Sequence, residues 1–466
     1  MVWGKKDVFL CFFIFGLIPC LYLDKSLVLW YSITNEFSPW KGFENMELLH
    51  GNAIVGQSGG PTAAINATLA GVIRGALDEI AGGGAISRLY GMRNGVDGLL
   101  REDIVELDKL FAPDSEGNYT ALDRLTLTPA AALGSCRRKL PAAGADNEAE
   151  VMDKLFAIFE KYDIRYFFYI GGNDSMDTVA KVSAYAEKKN YPIRVMGVPK
   201  TIDNDLVGTD HTPGFGSAAK YIAVTMQEIL RDTAVYTVPA VTVVEIMGRD
   251  AGWLTASAAL GRIVNGVEPD LVYLPEVPFS YENFYADLKE ALARHPNVVV
   301  AVSEGLECAD GTLVGAGTQS GAVDAFGHKY LAGTAKALEL AVKAEFGCKV
   351  RSVELNLPQR CAAHLVSDQD ITESLEVGRH AVMTAVEGVS RQMMTINRVS
   401  SEPYAFEIGH EDIFKIANQT KCVPAEFINE RGNHVTDACL KYLLPLIKGE
   451  RYPEYVDGLP CHWILK

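Results

Sequence analysis

The sequence predicts an α/β protein with two open, mostly parallel sheets, helices on both faces of each, and a ligand crevice between them. Short β-branched runs recur without strict apolar–polar alternation, as in strands buried on both faces. Helix-forming stretches with an apolar stripe separate those runs. Residues 52–56 read as the first strand, 57–62 as a turn and 63–77 as a helix. Strands follow at 165–170, 193–198, 241–246 and 298–302, and helices at 176–189, 218–230 and 330–346. Residues 205–216 are one plausible domain crossing, and a return is expected near 360–400.

The charge balance narrows the function classes. Against 59 Asp and Glu stand 43 Lys and Arg, a net charge of −16. A chain of that sign has no general attraction for nucleic acid or for an anionic membrane. Nine cysteines are scattered with no CxxC pair, so neither a zinc ribbon nor a disulfide framework is indicated. A reducing, cytoplasmic setting fits best.

The N-terminus reads differently from the rest. Lys5 and Lys6 precede an apolar run over 8–23, shorter than the roughly 20 residues of a spanning helix. The run resembles a secretory signal without a clear cleavage site. Residues 1–45 hold three of the five tryptophans, and the next methionine, Met46, stands six residues before the first strand. The favoured reading is an extension upstream of a start at Met46, ahead of a signal peptide and a membrane anchor.

Polar motifs sit at five successive strand ends, where ligands of open α/β sheets bind. They are Gly59-Gly60, Gly171-Gly172-Asn173-Asp174-Ser175, Pro199 to Asp205, Met247-Gly248-Arg249 and Ser303-Glu304-Gly305. Gly59 and Gly60 let backbone N–H groups approach an anion, although a tight strand-to-helix turn would also use them. Neither a Walker loop nor a GxGxxG pattern is present. Asp174 stands at a helix start, either as a cap or as a carboxylate facing a metal or excluding a longer ligand. In Lys200-Thr201-Ile202-Asp203-Asn204-Asp205, Asp203 could accept a hydroxyl proton and Lys200 could stabilise a transferring phosphoryl group. An Asx-type turn explains Asn204 but not the lysine.

These motifs, together with Gln57-Ser58-Gly59-Gly60-Pro61, Pro358-Gln359-Arg360 and Asp324-Ala325-Phe326-Gly327-His328, resemble the phosphofructokinase family in order and approximate spacing. Asp174 and Lys200 resemble its pyrophosphate-dependent branch, since ATP-dependent bacterial members typically have Gly at both places. A carboxylate at 174 would repel the α-phosphate of ATP, and Lys200 would place a positive charge near the scissile oxygens.

The resemblance implies a magnesium-dependent, reversible transfer from pyrophosphate to fructose 6-phosphate, with Asn173 and Asp174 at the metal. It implies Asp203 as base, Asp205 as an orienting group, and Thr201 and Ile202 along the sugar. Met247, Gly248, Arg249, Glu304 and Arg360 would bind the sugar phosphate, Gly59 pyrophosphate, and Arg137 the transferred phosphate. Residues 46–210 would then be the pyrophosphate domain, 211–400 the sugar-phosphate domain, and 401–466 a region packing on the core. A homo-oligomer, dimer or tetramer, is expected.

Three departures stand out. Asn173 replaces an acid common among relatives, Ala240 replaces an arginine of the bacterial ATP enzymes, and Cys361-Ala362 replaces Gly-Gly. The alternatives are an ATP-dependent 6-phosphofructokinase and a non-catalytic, sugar-phosphate-binding regulatory subunit.

Overall fold

The computed structural model describes residues 48–316 and 333–465. The N-terminal stretch, Met46 and the motif at 324–328 lie outside the described residues. Strand β1 (Gly51–Gln57) leads into helix α1 (Ile65–Ala81), then β2 (Ile86–Met92) and β3 (Ile104–Glu106). Helix α2 (Glu148–Lys161), β4 (Ile164–Gly171), α3 (Asn173–Lys189) and β5 (Arg194–Pro199) follow. Next come α4 (Phe215–Thr233), β6 (Ala240–Ile246), β7 (Leu271–Tyr273) and α5 (Tyr281–Arg294). Then come β8 (Asn297–Ser303), α6 (Thr334–Phe346) and β9 (Lys349–Glu354). Helix α7 (Asp368–Val386) precedes the antiparallel pair β10 (Gln392–Ser401) and β11 (Tyr404–Asp412).

Two sheets result. The first has the order β11-β10-β5-β4-β1-β2-β3, parallel from β10 to β2 and antiparallel at both edges. The second, β7-β8-β6-β9, is parallel throughout. Residues 368–400 therefore contribute α7 and β10 to the first layer, which is drawn from two separated stretches of chain.

Strand β4 shows why alternation is missing from the sequence. Tyr166, Phe168 and Ile170 enter one apolar cluster, and Phe167 and Tyr169 enter the one on the opposite face. Burying each ring fully contributes roughly 1.5–3 kcal/mol relative to exposure. Over the first of these clusters, α1 and α7 cross in close contact. A Cβ on Gly71 would meet the Leu375 carbonyl oxygen at 2.1 Å, and one on Gly378 the Thr68 oxygen at 2.1 Å.

Two helices are capped from a distance. Helices α4 and α6 both begin after glycine, with no capping side chain of their own. Asp370 instead accepts from the N–H groups of Gly214 (2.8 Å) and Ser217 (3.0 Å), and Glu245 from those of Gly333 (3.2 Å) and Ala335 (2.7 Å). Carboxylates there satisfy orphan donors and oppose the positive end of the helix dipole.

The segment after Asp205 is anchored by a buried ionic network. His211 lies 2.8 Å from Asp210 Oδ2 and 2.7 Å from Glu373 Oε2, and Arg398 lies 3.0 Å from Asp210. Glu373 on α7 also accepts from the Tyr404 hydroxyl. Among the described residues no helix is long and apolar enough to cross a membrane.

Candidate active site

The turn after β1 is tied to the segment carrying Arg137. The Ser135 hydroxyl donates to the Gly59 carbonyl at 2.6 Å, and the Gly59 N–H donates to the Cys136 carbonyl at 3.2 Å. That N–H is therefore engaged within the loop. Glycine at 59 serves the backbone, which is left-handed there (φ 77°), and both glycines stand beside cations at ordinary contact distance. A Cβ on Gly59 would lie 3.4 Å from Lys200 Nζ, and one on Gly60 would lie 3.6 Å from Arg360 Nη1.

Lys200 follows β5, its N–H bonded to the Gly171 carbonyl at 3.0 Å and its ammonium to the Gly60 carbonyl at 2.6 Å. Its side chain is buried. That burial pulls its pKa down to about 8, with Arg137 and Arg360 adding to the effect and Asp203 and Asp205 opposing it. The Asp203 N–H donates to Thr201 Oγ1 at 3.1 Å, so threonine closes this turn, and Asn204 takes the left-handed conformation (φ 54°) that asparagine tolerates. Burial pushes the Asp203 carboxyl up; Lys200 and Arg249 hold it down, and Asp250 adds repulsion. Asp205 is pushed up to about 7 by burial and by Asp203. Ile202 is buried in the apolar cluster of the second layer with Phe215 and Ile222.

The second layer supplies the facing wall. The Met247 N–H donates to Gln359 Oε1 at 3.0 Å, which joins the Met247-Gly248-Arg249 and Pro358-Gln359-Arg360 motifs directly. Gly248 (φ 128°) accepts from the Ser303 hydroxyl and donates to Glu304 Oε1 at 3.4 Å. Gly305 is required beside it, because a Cβ there would stand 1.8 Å from the Arg249 carbonyl oxygen. Burial pushes Glu304 up to about 8, and Asp203 across the cleft adds to that rise. Burial lowers the Arg360 pKa, with Arg137 as the next cause. Lys200, Asp203, Asp205, Arg137, Arg249, Glu304 and Arg360 thus share one electrostatic environment.

The start of α3 behaves otherwise. Asn173 Oδ1 accepts from the Asn418 N–H at 2.7 Å and its Nδ2 donates to the Gln419 carbonyl at 2.7 Å. Both polar atoms of its amide thus hold a downstream loop. Asp174 caps nothing; Gly172 is the capping residue, with no side-chain bond. The Asp174 carboxylate instead meets Lys139 Nζ at 3.3 Å. The basic run is divided, with Arg138 pairing Asp97 at 3.1 Å and the charge of Arg137 felt by Lys200 and Arg360.

Three residues of this neighbourhood escaped the sequence reading. Asp250 follows Met-Gly-Arg directly and repels Asp203. Gln359 lay within a quoted motif, but only its contact with Met247 reveals its use. Lys421 stands in no motif, yet its N–H donates to the Asp205 carbonyl at 2.7 Å.

Comparison with known proteins agrees with this geometry. The profile of the family described as Phosphofructokinase matches residues 52–384. The pyrophosphate–fructose 6-phosphate 1-phosphotransferase of Halomonas elongata is 40% identical over 411 residues, 88% of this chain and 94% of that protein. Its counterpart in Methylococcus capsulatus is 39% identical over the same shares. The crystal structure of the pyrophosphate-dependent phosphofructokinase of Nitrosospira multiformis superposes with a TM-score of 0.78 at 38% identity, covering 88% of this chain and 95% of that one. With the family's motifs gathered at the mouths of two facing sheets, the chain belongs to the phosphofructokinase family.

Proposed function

We propose that the protein transfers a phosphoryl group from pyrophosphate to the 1-hydroxyl of fructose 6-phosphate, reversibly, giving fructose 1,6-bisphosphate and phosphate. The observation that carries this reading is the joint placement of Lys200 and Asp203 in a cleft walled by Arg249, Glu304 and Arg360. The similarity to named pyrophosphate-dependent relatives along most of the chain supports the donor.

Asp203 takes the proton of the sugar 1-hydroxyl as its oxygen attacks the nearer phosphorus, and the departing phosphate carries the former bridging oxygen. A carboxyl raised toward neutrality by burial is better matched to that exchange than an exposed one. Lys200 and Arg137 stabilise charge on the transferred group, where positioning and electrostatics do most of the catalysis. Asp205 orients nearby groups. Arg249 and Arg360 hold the sugar phosphate, and Glu304 takes a sugar hydroxyl. Met247, Gly248, Thr201 and Ile202 shape the sugar site, and Gly59 gives pyrophosphate its room.

A divalent ion suits a site that offers one carboxylate rather than a cage. Magnesium characteristically keeps substrate phosphate oxygens and waters as ligands beside one or two carboxylates. Asp174 would hold it together with pyrophosphate oxygens, and the bound ion would neutralise phosphate charge. Asn173 beside it holds the loop at 418–419 through its amide. The enzyme is assigned to the cytoplasm, as a homo-oligomer.

A coupled assay with purified protein, fructose 6-phosphate and magnesium, run with pyrophosphate and with ATP, tests the reading. Turnover with pyrophosphate and none with ATP supports it. The reverse result makes the protein an ATP-dependent kinase, and binding of fructose 6-phosphate without turnover makes it a regulatory subunit.

A further inference from the structure

Residues 418–423 touch three of the loops around the cleft. At one end, the Asn418 N–H and the Gln419 carbonyl take both polar atoms of Asn173, where α3 begins. In the middle, the Lys421 N–H donates to the Asp205 carbonyl, and its ammonium donates to Asn204 Oδ1 (3.2 Å), the Thr209 carbonyl (3.1 Å) and the Asp210 carbonyl (2.8 Å). The Lys421 carbonyl accepts from the Trp253 indole at 2.9 Å. At the other end, the Val423 N–H donates to Glu276 Oε1 at 2.8 Å, and the same oxygen accepts from the Gly252 N–H at 2.9 Å. Gly252 and Trp253 stand just after Met247-Gly248-Arg249.

We propose that residues 418–423 are a strap fixing the donor loop at 173, the catalytic loop at 203–205 and the sugar-phosphate loop at 247–253 relative to one another. Lys421 is its central positioning residue. The argument is one of geometry and chemistry. Asn204 sits in a left-handed turn between the two carboxylates, and Lys421 binds its side chain and the backbone on both sides of the following segment. A half-buried ammonium whose three N–H donors are all taken has one rigid position, so the turn carrying Asp203 inherits it. The strap does not touch the phosphate path, so it acts through the loops it holds. Its value to phosphoryl transfer rests on the function proposed above; its mechanical role does not.

The test uses the full chain as wild type, Lys421→Met, Asn173→Ala and the double variant, read by kinetics and by hydrogen exchange. Lys421→Met should lower kcat roughly 10–100-fold, in line with small misplacements at reacting centres, while KM for pyrophosphate changes less than about threefold. Because both variants cut the same strap, the double variant should lose little more kcat than the worse single one. Hydrogen exchange should show Asn173→Ala loosening amides in 203–210 and 250–254, which Asn173 does not touch. Multiplicative losses in kcat, or exchange changes confined to the vicinity of each substitution, would overturn the strap. If the wild type shows no pyrophosphate-dependent turnover, the functional reading fails, and the exchange experiment alone decides the strap.

Discussion

The Lys200 ammonium lies 2.6 Å from the carbonyl oxygen of Gly60, so the strand end that supplies the charge is latched onto the Gly59-Gly60 turn. A buried cation held by one carbonyl is poised for an anion and poorly solvated without one. Lys200→Met should therefore lose turnover by about 10²-fold or more. It should nevertheless gain about 1–2 kcal/mol of stability at pH 7, after the lost hydrogen bond is subtracted. The sign follows from the depressed pKa. The folded state resists the charge fully below about pH 8, and this penalty fades as pH rises from about 8 toward 10.5. Thermal unfolding of both proteins at pH 7 and near pH 10 should show the gap closing, and a variant less stable than wild type at pH 7 would refute the account.

Asp203→Ser should keep the fold and much of the affinity for fructose 6-phosphate while lowering kcat by roughly 10²–10⁴. Thr201 still offers its hydroxyl to the residue-203 N–H, so the turn survives the change. Retention of more than a tenth of wild-type turnover would remove Asp203 from the role of base.

Donor choice rests on Asp174 and Lys200 together. Asp174→Gly removes one ion pair with Lys139 at a half-exposed site, a stability change within about 1 kcal/mol. It should improve ATP use, Lys200→Gly should depress turnover with pyrophosphate more than affinity, and the pair should shift the ATP-to-pyrophosphate ratio of kcat/KM most. A ratio unchanged in all three variants would end this explanation of specificity.

The His211 network should make stability pH-dependent. Burial works against the charge on His211, but Glu373 and Asp210 outweigh it and raise its pKa from 6.5 to about 9. Its stabilisation is therefore full below about pH 6.5 and lost as pH rises through about 9. His211→Gln should cost about 3 kcal/mol at pH 6, because Glu373 is left buried without its cation, and much less above pH 9.5. Denaturant unfolding at the two pH values measures this, and an equal loss at both would contradict it.

The buried parallel strands were legible in the sequence because their composition is dictated by burial on both faces, as β4 illustrates. Strands β10 and β11 were not, since beyond Ile396 their residues alternate between exposed and half-buried at a sheet edge and carry no continuous apolar run. Helix α4 begins three residues before its sequence-based start because its cap, Asp370, arrives from elsewhere in the chain. The site's charged residues were readable from motifs at strand ends. The bond between Asn173 and Asn418 left no trace in the sequence, because residue type and position say nothing of backbone partners 245 residues downstream. Lys421 gave no signal, being a single lysine in a loop whose importance lies in the carbonyls around it.

The first sheet, assembled from two separated stretches, has a consequence for biosynthesis. Strand β5 cannot pair with β10 until residue 392 has left the ribosome, almost 200 residues after β5 itself. At roughly 5–20 residues per second the open edge of β5 waits on the order of 10–40 s. During that time β6–β9 can close as a local, fully parallel unit. The nascent chain thus completes its later sheet before its earlier one, and the β5 edge is the surface most in need of chaperone cover.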